Sequence, residues 1–152
     1  MEYLLFTLWF TLLHMAAYTL AGVLTLKVSK DVYEGKNRLM VYLRDMEDPA
    51  ESSHVQKWFL PAQLLRGVLI SIVLYPLLPA LAELSFGLRF AFLGGLMFII
   101  THLASVAPAP DNIEGFVYMK ARFFSRSSFA RFQMEMVLYS VPFAGLAAWL
   151  LF

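Results

Sequence analysis

The sequence predicts an all-α integral membrane protein, with four transmembrane helices in an antiparallel bundle. Of the 152 residues, 60% are hydrophobic and only 15% are charged, against about 25% charged residues in soluble domains. The apolar residues also form runs close to the roughly 20 residues that cross a hydrocarbon core. We therefore expect one domain, residues 1–152, with helices at about 3–27, 58–82, 86–108 and 131–152.

Charged residues are almost absent from these four runs. The first has none between Tyr3 and Leu26, and the others contain one each, namely Arg66, Arg89 and, counted from Phe132, Glu135. Soluble amphipathic helices carry a charged face, which is missing here. The first run is not typical of a signal peptide, because Met1-Glu2 supplies no basic residue and the apolar stretch is too long.

The basic residues predict the orientation. Ten of the 12 Lys and Arg residues lie in or beside the loops 28–57 and 109–130, and basic loops remain in the cytoplasm. We therefore expect both loops in the cytoplasm and both termini on the non-cytoplasmic side. The location that fits is a bacterial-type inner (plasma) membrane.

Turn and cap residues predict the helix ends. A short helix is expected around Lys36 to Asp45, before Pro49, and Ser52 or Ser53 is expected to cap the second long helix. Prolines near the end of that helix predict either its end or a kink. These residues are Pro76 and Pro79.

Small residues predict close helix packing. Gly94-Gly95 permits a near approach in the third helix, and alanines four residues apart occur in the first and fourth helices. The pairs are Ala17 with Ala21 and Ala144 with Ala148. Four helices enclose little space, so we expect a homo-oligomer or another membrane protein as partner.

His14 lies on a polar stripe of the first helix. The stripe has spacings of three and four residues and contains Thr7, Thr11, His14, Tyr18, Ala21 and Thr25. Such residues share one helix face, so we expect His14 to point into the bundle or a subunit interface. The lipid-facing side is then expected to contain Leu5, Phe10, Leu12 and Leu20. His14 is interpreted either as a hydrogen-bonded packing residue or as a proton carrier.

Polar residues of the other three helices are expected at similar depths in the membrane. Gln63, Arg66, His102 and Glu135 are expected in the cytoplasmic half, with Tyr139 one turn beyond Glu135. A charge at this depth costs roughly 2.5–3.5 kcal/mol, so Arg66 needs a partner, and Glu135 is expected to be it. The functional hypothesis is a cytoplasm-facing pocket where Arg66 holds an anionic group and His102 or Glu135 moves a proton. The alternatives are a buried Arg66–Glu135 pair, or Glu135 paired with Arg131 while Arg66 snorkels.

The second loop carries basic residues interleaved with aromatic ones. Lys120, Arg122, Arg126 and Arg131 lie between Glu114 and Glu135, with no acidic residue among them. This pattern is typical of an interfacial segment on anionic headgroups, at roughly 1 kcal/mol per basic residue. The alternative is a loop that only sets topology. Nucleic-acid binding is not expected, since the net charge is +1.

Several chemistries are disfavoured. There is no cysteine, and the three histidines are far apart without clustered carboxylates, so no metal site is predicted. No phosphate loop or serine nucleophile motif occurs, and no cofactor is indicated. We therefore expect a non-enzymatic protein that binds or transports a small anionic or amphipathic ligand, or acts as a membrane subunit.

The segment "YLRDMEDPAESSHVQKWFLP" before the second helix resembles a known group. With the four short helices, it is similar to the superfamily of membrane-associated proteins in eicosanoid and glutathione metabolism. "HVQ" followed by Pro61 matches that family, whereas its arginine, asparagine and glutamate pattern and the tyrosines of its third helix are missing. The resemblance implies a trimeric membrane enzyme that acts on a lipophilic substrate with glutathione.

Overall fold

A computed structural model describes residues 2–107, 109–119 and 121–152, and this part of the chain is helical without strands. In chain order the α-helices are α1 (Glu2–Val28), α2 (Lys30–Tyr33), α3 (Pro49–Leu74), α4 (Leu78–Glu83), α5 (Phe86–Gly95), α6 (Ile113–Tyr118) and α7 (Arg126–Leu150). Tyr75–Leu77 and Ala121–Phe123 form 3₁₀ turns, and Leu96–Leu103 continues α5 as a π-helix.

Three helical segments are long and apolar enough to cross a membrane. They are Glu2–Val28, Pro49–Glu83 and Phe86–Leu103. The fourth long helix, α7, is less apolar because it includes Gln133, Glu135 and Ser140. It nevertheless buries much of its surface within the protein, since Tyr139, Phe143 and the alanines after it are buried.

The helix α1 packs between α3 and α7, and α7 packs between α1 and α5. Contacts between α1 and α3 run in opposite order along the two helices, because Thr7 bonds Ser71 while the Tyr18 ring lies beside that of Phe59. At Gly67 a Cβ atom would come within 3.0 Å of the Thr11 side chain. Glycine is therefore what allows α1 and α3 to approach here.

The predicted small residues lie in the core. Ala17, Ala21, Ala144 and Ala148 are all buried, and a Cβ on Gly94 would lie 3.5 Å from the Ala144 methyl group. The small residues therefore bring α5 against α7 within one chain.

The prediction for Phe10 was wrong. Its side chain is fully buried, and its ring packs edge-to-face on Phe143 at 5.1 Å between centroids. Phe10 precedes His14 by four residues and so shares its face. The other three residues assigned to the lipid side, Leu5, Leu12 and Leu20, are exposed.

The first loop is less helical and α3 longer than predicted. The residues 36–45 form turns in which Arg38 pairs with Asp45 at 3.2 Å. α3 starts at Pro49, because Asp48 caps it by accepting hydrogen bonds from the amides of Ala50 and Glu51. The expected cap at Ser52 or Ser53 was therefore wrong, and the helix begins nine residues before the predicted start at residue 58.

The prolines of the second apolar run interrupt the helix without ending the run. α3 gives way to the 3₁₀ turn at Tyr75–Leu77, and α4 follows it. The third apolar helix ends at Leu103, whereas the sequence predicted an end at residue 108. The Ala104 amide donates to the Ile99 carbonyl over 2.7 Å, and this spacing of five residues is that of a π-helix.

Arg89 ties the ends of α4 and α7 to α5. Its guanidinium donates hydrogen bonds to the carbonyl oxygens of Leu81, Ala82, Leu84 and Ala148 over 2.7–3.2 Å. Carbonyls at helix ends lack partners within the helix. Arg89 satisfies them without a carboxylate, which explains how a buried cation is tolerated at this end of the protein.

Candidate functional site

His14 is the centre of a hydrogen-bond network between helices. Its Nδ1 lies 2.6 Å from the hydroxyl of Tyr139 on α7, and its Nε2 lies 3.2 Å from Oε1 of Gln63 on α3. The Tyr139 hydroxyl also lies 3.2 Å from Sδ of Met97. The imidazole is fully buried, so both ring nitrogens find partners inside the protein.

The side-chain oxygen of Gln63 is a hydrogen-bond acceptor, so it favours the tautomer of His14 that carries its proton on Nε2. A neutral imidazole has one donor and one acceptor nitrogen. If Nε2–H donates to the Gln63 oxygen, Nδ1 accepts from the Tyr139 hydroxyl, and both hydrogen bonds are satisfied without a charge. These contacts are compatible with the interpretation of His14 as a packing residue, and the proton-carrier interpretation stays a prediction.

Arg66 and Tyr18 form a second polar contact beside this network. The Arg66 guanidinium donates to the Thr101 hydroxyl over 3.3 Å and lies 5.7 Å from the centroid of the Tyr18 ring. The Thr101 hydroxyl in turn donates to the Met97 carbonyl at 2.7 Å. Arg66 is therefore held by a hydroxyl and an aromatic ring.

The expected ion pair between Arg66 and Glu135 is not formed, and that prediction was wrong. Glu135 instead accepts a hydrogen bond from the Tyr33 hydroxyl at 2.7 Å. The alternative pair with Arg131 is absent too, because Arg131 binds Asp31 at 3.0 Å and the Val28 carbonyl at 2.7 Å. Burial and the neighbouring Glu135 raise the pKa of the Tyr33 hydroxyl well above its usual range, so Tyr33 remains a donor.

His102 belongs to a third cluster. Its Nδ1 lies 3.1 Å from a carboxylate oxygen of Asp111, and its Nε2 lies 3.3 Å from Oε1 of Gln133. Gln133 also donates to the Asp111 carbonyl at 2.7 Å. These contacts attach the segment after the π-helix to α7. They leave His102 without a contact to Arg66 or Glu135, so the expected single polar cluster is divided.

A cavity of about 520 Å³ lies beside Glu135, between α1, the start of α3 and the first loop. Most of its lining is apolar, and Glu135 is the one residue with a formal charge among the described lining residues. Its polar lining residues are Tyr18, Thr19, Thr25, Tyr33, Gln56 and Glu135. The Thr25 hydroxyl is buried and has no hydrogen-bond partner among the described residues. A ligand with an apolar body and a polar group fits this lining.

The predicted interfacial residues have different surroundings. Arg122 and Arg126 are exposed, and Arg122 lies over the ring of Phe123 at 4.6 Å. Arg131 is occupied by Asp31 and Val28, as described above. Lys120 lies outside the described residues. The nearby helix α6 exposes Ile113, Phe116, Val117 and Tyr118.

The sequence did not indicate Tyr33 or Gln133 as members of these clusters. Tyr33 ends α2, a helix of only four residues, and Asp111 lies in a turn, so no helical period predicts the direction of either side chain. Gln133 and Thr25 lie on helices, and Thr25 was placed correctly on the inward stripe, although nothing in the stripe indicated a cavity. Polar residues at the entrance of an apolar run are the signal that could have identified Gln133.

Comparisons with known protein families, curated proteins and solved structures found no match for this chain. The resemblance to the eicosanoid and glutathione superfamily stays a prediction.

Proposed function

We propose that this protein is a membrane protein that binds a small amphipathic ligand in the cavity beside Glu135. The observation that carries the proposal is a largely apolar cavity of about 520 Å³ in which Glu135 is the one residue with a formal charge among the described lining residues. A ligand with a polar head would meet Glu135 while its apolar part contacts α1 and α3.

The proposed architecture is an antiparallel bundle of four transmembrane helices. The reversed order of contacts between α1 and α3 supports it, as does the burial of α7 against α1 and α5. In this arrangement both termini are outside, and the basic loops face the cytoplasm of a bacterial-type inner membrane. The cavity then lies near the cytoplasmic end, since Tyr33 and Met46 of the first loop cover it.

The cavity favours an amphipathic ligand over a simple anion. Its formal charge is the carboxylate of Glu135, and Arg66, the expected anion holder, does not line it. An anionic group would therefore meet a like charge at the only charged wall that the structure describes. The exposed Arg122 and Arg126 and the apolar face of α6 are proposed to rest on anionic lipid headgroups instead.

Photolabelling with a cavity-blocking variant tests the proposal. Gly22 lines the cavity, and a Cβ there meets nothing within 4 Å, so Gly22→Trp would fill the cavity. The matched control is Gly87→Trp on α5, where a Cβ also meets nothing within 4 Å. The probe is decanol with a diazirine on its chain, added to protein in nanodiscs of uncharged galactolipid.

The expected result is saturable labelling of peptides around Gly22 in the wild type and in Gly87→Trp. Excess unlabelled decanol should compete with this labelling, and Gly22→Trp should lose most of it. Equal labelling of the two tryptophan variants, or labelling that no excess reduces, would show that the cavity is not a binding site.

A further inference from the structure

The polar wall of the cavity combines one carboxylate with aromatic rings. Glu135 uses one carboxylate oxygen to accept from Tyr33, and the second has no hydrogen-bond partner among the described residues. The aromatic residues of the lining are Tyr18, Tyr33 and Phe59, and the rings of Tyr18 and Phe59 lie 5.9 Å apart. The carboxylate and the three rings therefore line one space.

A carboxylate beside aromatic rings favours the binding of an organic cation. Aromatic faces attract organic cations through the ring quadrupole, by about 0.5–2 kcal/mol each, and a partly desolvated carboxylate adds an opposite charge. The Arg66 guanidinium already lies 5.7 Å from the centroid of the Tyr18 ring, so the rings left for a further cation are those of Tyr33 and Phe59. An anion would gain nothing from these two rings and would be repelled by Glu135.

We propose that the cavity binds the ammonium group of an amphiphilic organic cation, held by Glu135 and beside the rings of Tyr33 and Phe59. This inference rests on the proposed function and specifies the chemistry of the ligand. The apolar chain of the cation lies along the residues of α1 and α3 that line the cavity, such as Val23 and Leu60. An ammonium group of a lipid and that of a free amphiphile satisfy the same contacts.

Binding of a matched pair of amphiphiles tests the charge preference. Radiolabelled decyltrimethylammonium and decyl sulfate have the same chain and opposite charge. They are titrated into protein in galactolipid nanodiscs, and partition into empty nanodiscs is subtracted. The wild type should bind the cation at least tenfold more tightly than the anion. Equal or preferential binding of decyl sulfate would overturn the inference while leaving an amphipathic site in place.

A variant of Glu135 tests whether its carboxylate is responsible for the preference for a cation. Glu135→Gln keeps an acceptor for Tyr33 and removes the charge, so affinity for decyltrimethylammonium should fall at least tenfold. The control Glu114→Gln removes a carboxylate outside the cavity lining and should leave the affinity within twofold. If both variants bind like the wild type, the ammonium site is not at Glu135. If Gly22→Trp also retains photolabelling, the proposed function fails with it.

Competition in the same nanodiscs distinguishes a lipid headgroup from a free amphiphile as the source of the cation. Adding phosphatidylethanolamine should displace decyltrimethylammonium if a lipid headgroup is the natural occupant, whereas phosphatidylglycerol, which lacks the ammonium, should not. A cation that neither lipid displaces indicates a free amphiphile. Displacement by phosphatidylglycerol but not by phosphatidylethanolamine would contradict recognition of an ammonium group.

Discussion

The His14 imidazole and the Tyr139 hydroxyl are hydrogen-bonded over 2.6 Å, although 125 positions separate them in the chain. Through Gln63 the same imidazole reaches α3. One buried histidine therefore connects α1, α3 and α7. This explains why an apolar helix contains a titratable residue.

Removing the Tyr139 hydroxyl is expected to destabilise the protein. Tyr139→Phe keeps the buried ring and leaves Nδ1 of His14 without its donor, and hydrogen bonds between membrane helices contribute about 0.6–1.7 kcal/mol. The free energy of unfolding in mixed micelles should fall by that amount. The control is Tyr118→Phe, whose side chain is 71% exposed. Equal stability of the two variants would show that the hydrogen bond contributes nothing.

Arg89 is expected to be more important for stability than its charge alone suggests. Arg89→Lys keeps the cation but replaces the guanidinium fork by one nitrogen with three donors, so at least one of the four carbonyls would lose its donor. The loss should be on the order of 2 kcal/mol, measured by the unfolding midpoint. Arg122→Lys, at an exposed position, is the matched control. The interpretation is contradicted if the two lysine variants unfold alike.

Gly115 is expected to tolerate no side chain. A Cβ at this position would overlap the carbonyl oxygen of Ala109, and the Gly115 amide donates to the Asn112 side chain at 2.7 Å. Gly115→Ala should therefore lower stability by about 1–3 kcal/mol, the usual cost of overpacking. Gly95→Ala, where a Cβ meets nothing within 4 Å, should change it little. A wild-type melting curve for Gly115→Ala would refute this close contact.

The His102–Asp111 contact is expected to hold the segment after the π-helix in place. Asp111→Asn removes the charge next to Nδ1 of His102 and weakens a 3.1 Å contact. Protease cleavage between residues 104 and 112 should then become faster, by at least threefold. Glu114→Gln, in the next helix, provides the comparison. Unchanged cleavage of Asp111→Asn would mean that the hydrogen bonds of Gln133 and Asn112 hold this segment without the His102–Asp111 contact.

The helical period predicted one face of α1 well and the partners of that face poorly. Thr11, His14, Ala21 and Thr25 are buried as the stripe indicated. Phe10 was assigned to lipid because the stripe was defined by polar residues, while an aromatic residue four positions away packs on the same side. A period therefore gives the direction of a side chain and not the residue it meets.

The polar residues of the other helices were expected to pair according to their depth in the membrane. This expectation was wrong for Arg66 and Glu135. Depth was counted from a helix start at residue 58, whereas Asp48 begins α3 at Pro49. Gln63 consequently meets His14, and Arg66 meets Thr101. Glu135 accepts a hydrogen bond from Tyr33, the last residue of the short helix α2, whose position against α7 no local pattern encodes. The cavity is lined by the first loop and three helices, so it could not be read from any one segment.

The central claim is that the cavity beside Glu135 holds an amphiphile, and native mass spectrometry tests it most directly. Wild type, Gly22→Trp and Gly87→Trp would be purified from the same membranes in nanodiscs and released in the spectrometer. The account predicts an additional small mass on the wild type and on Gly87→Trp that is missing from Gly22→Trp. The same spectra would read the oligomeric state. A wild type without any bound mass, or one whose bound mass Gly22→Trp retains, would contradict the account.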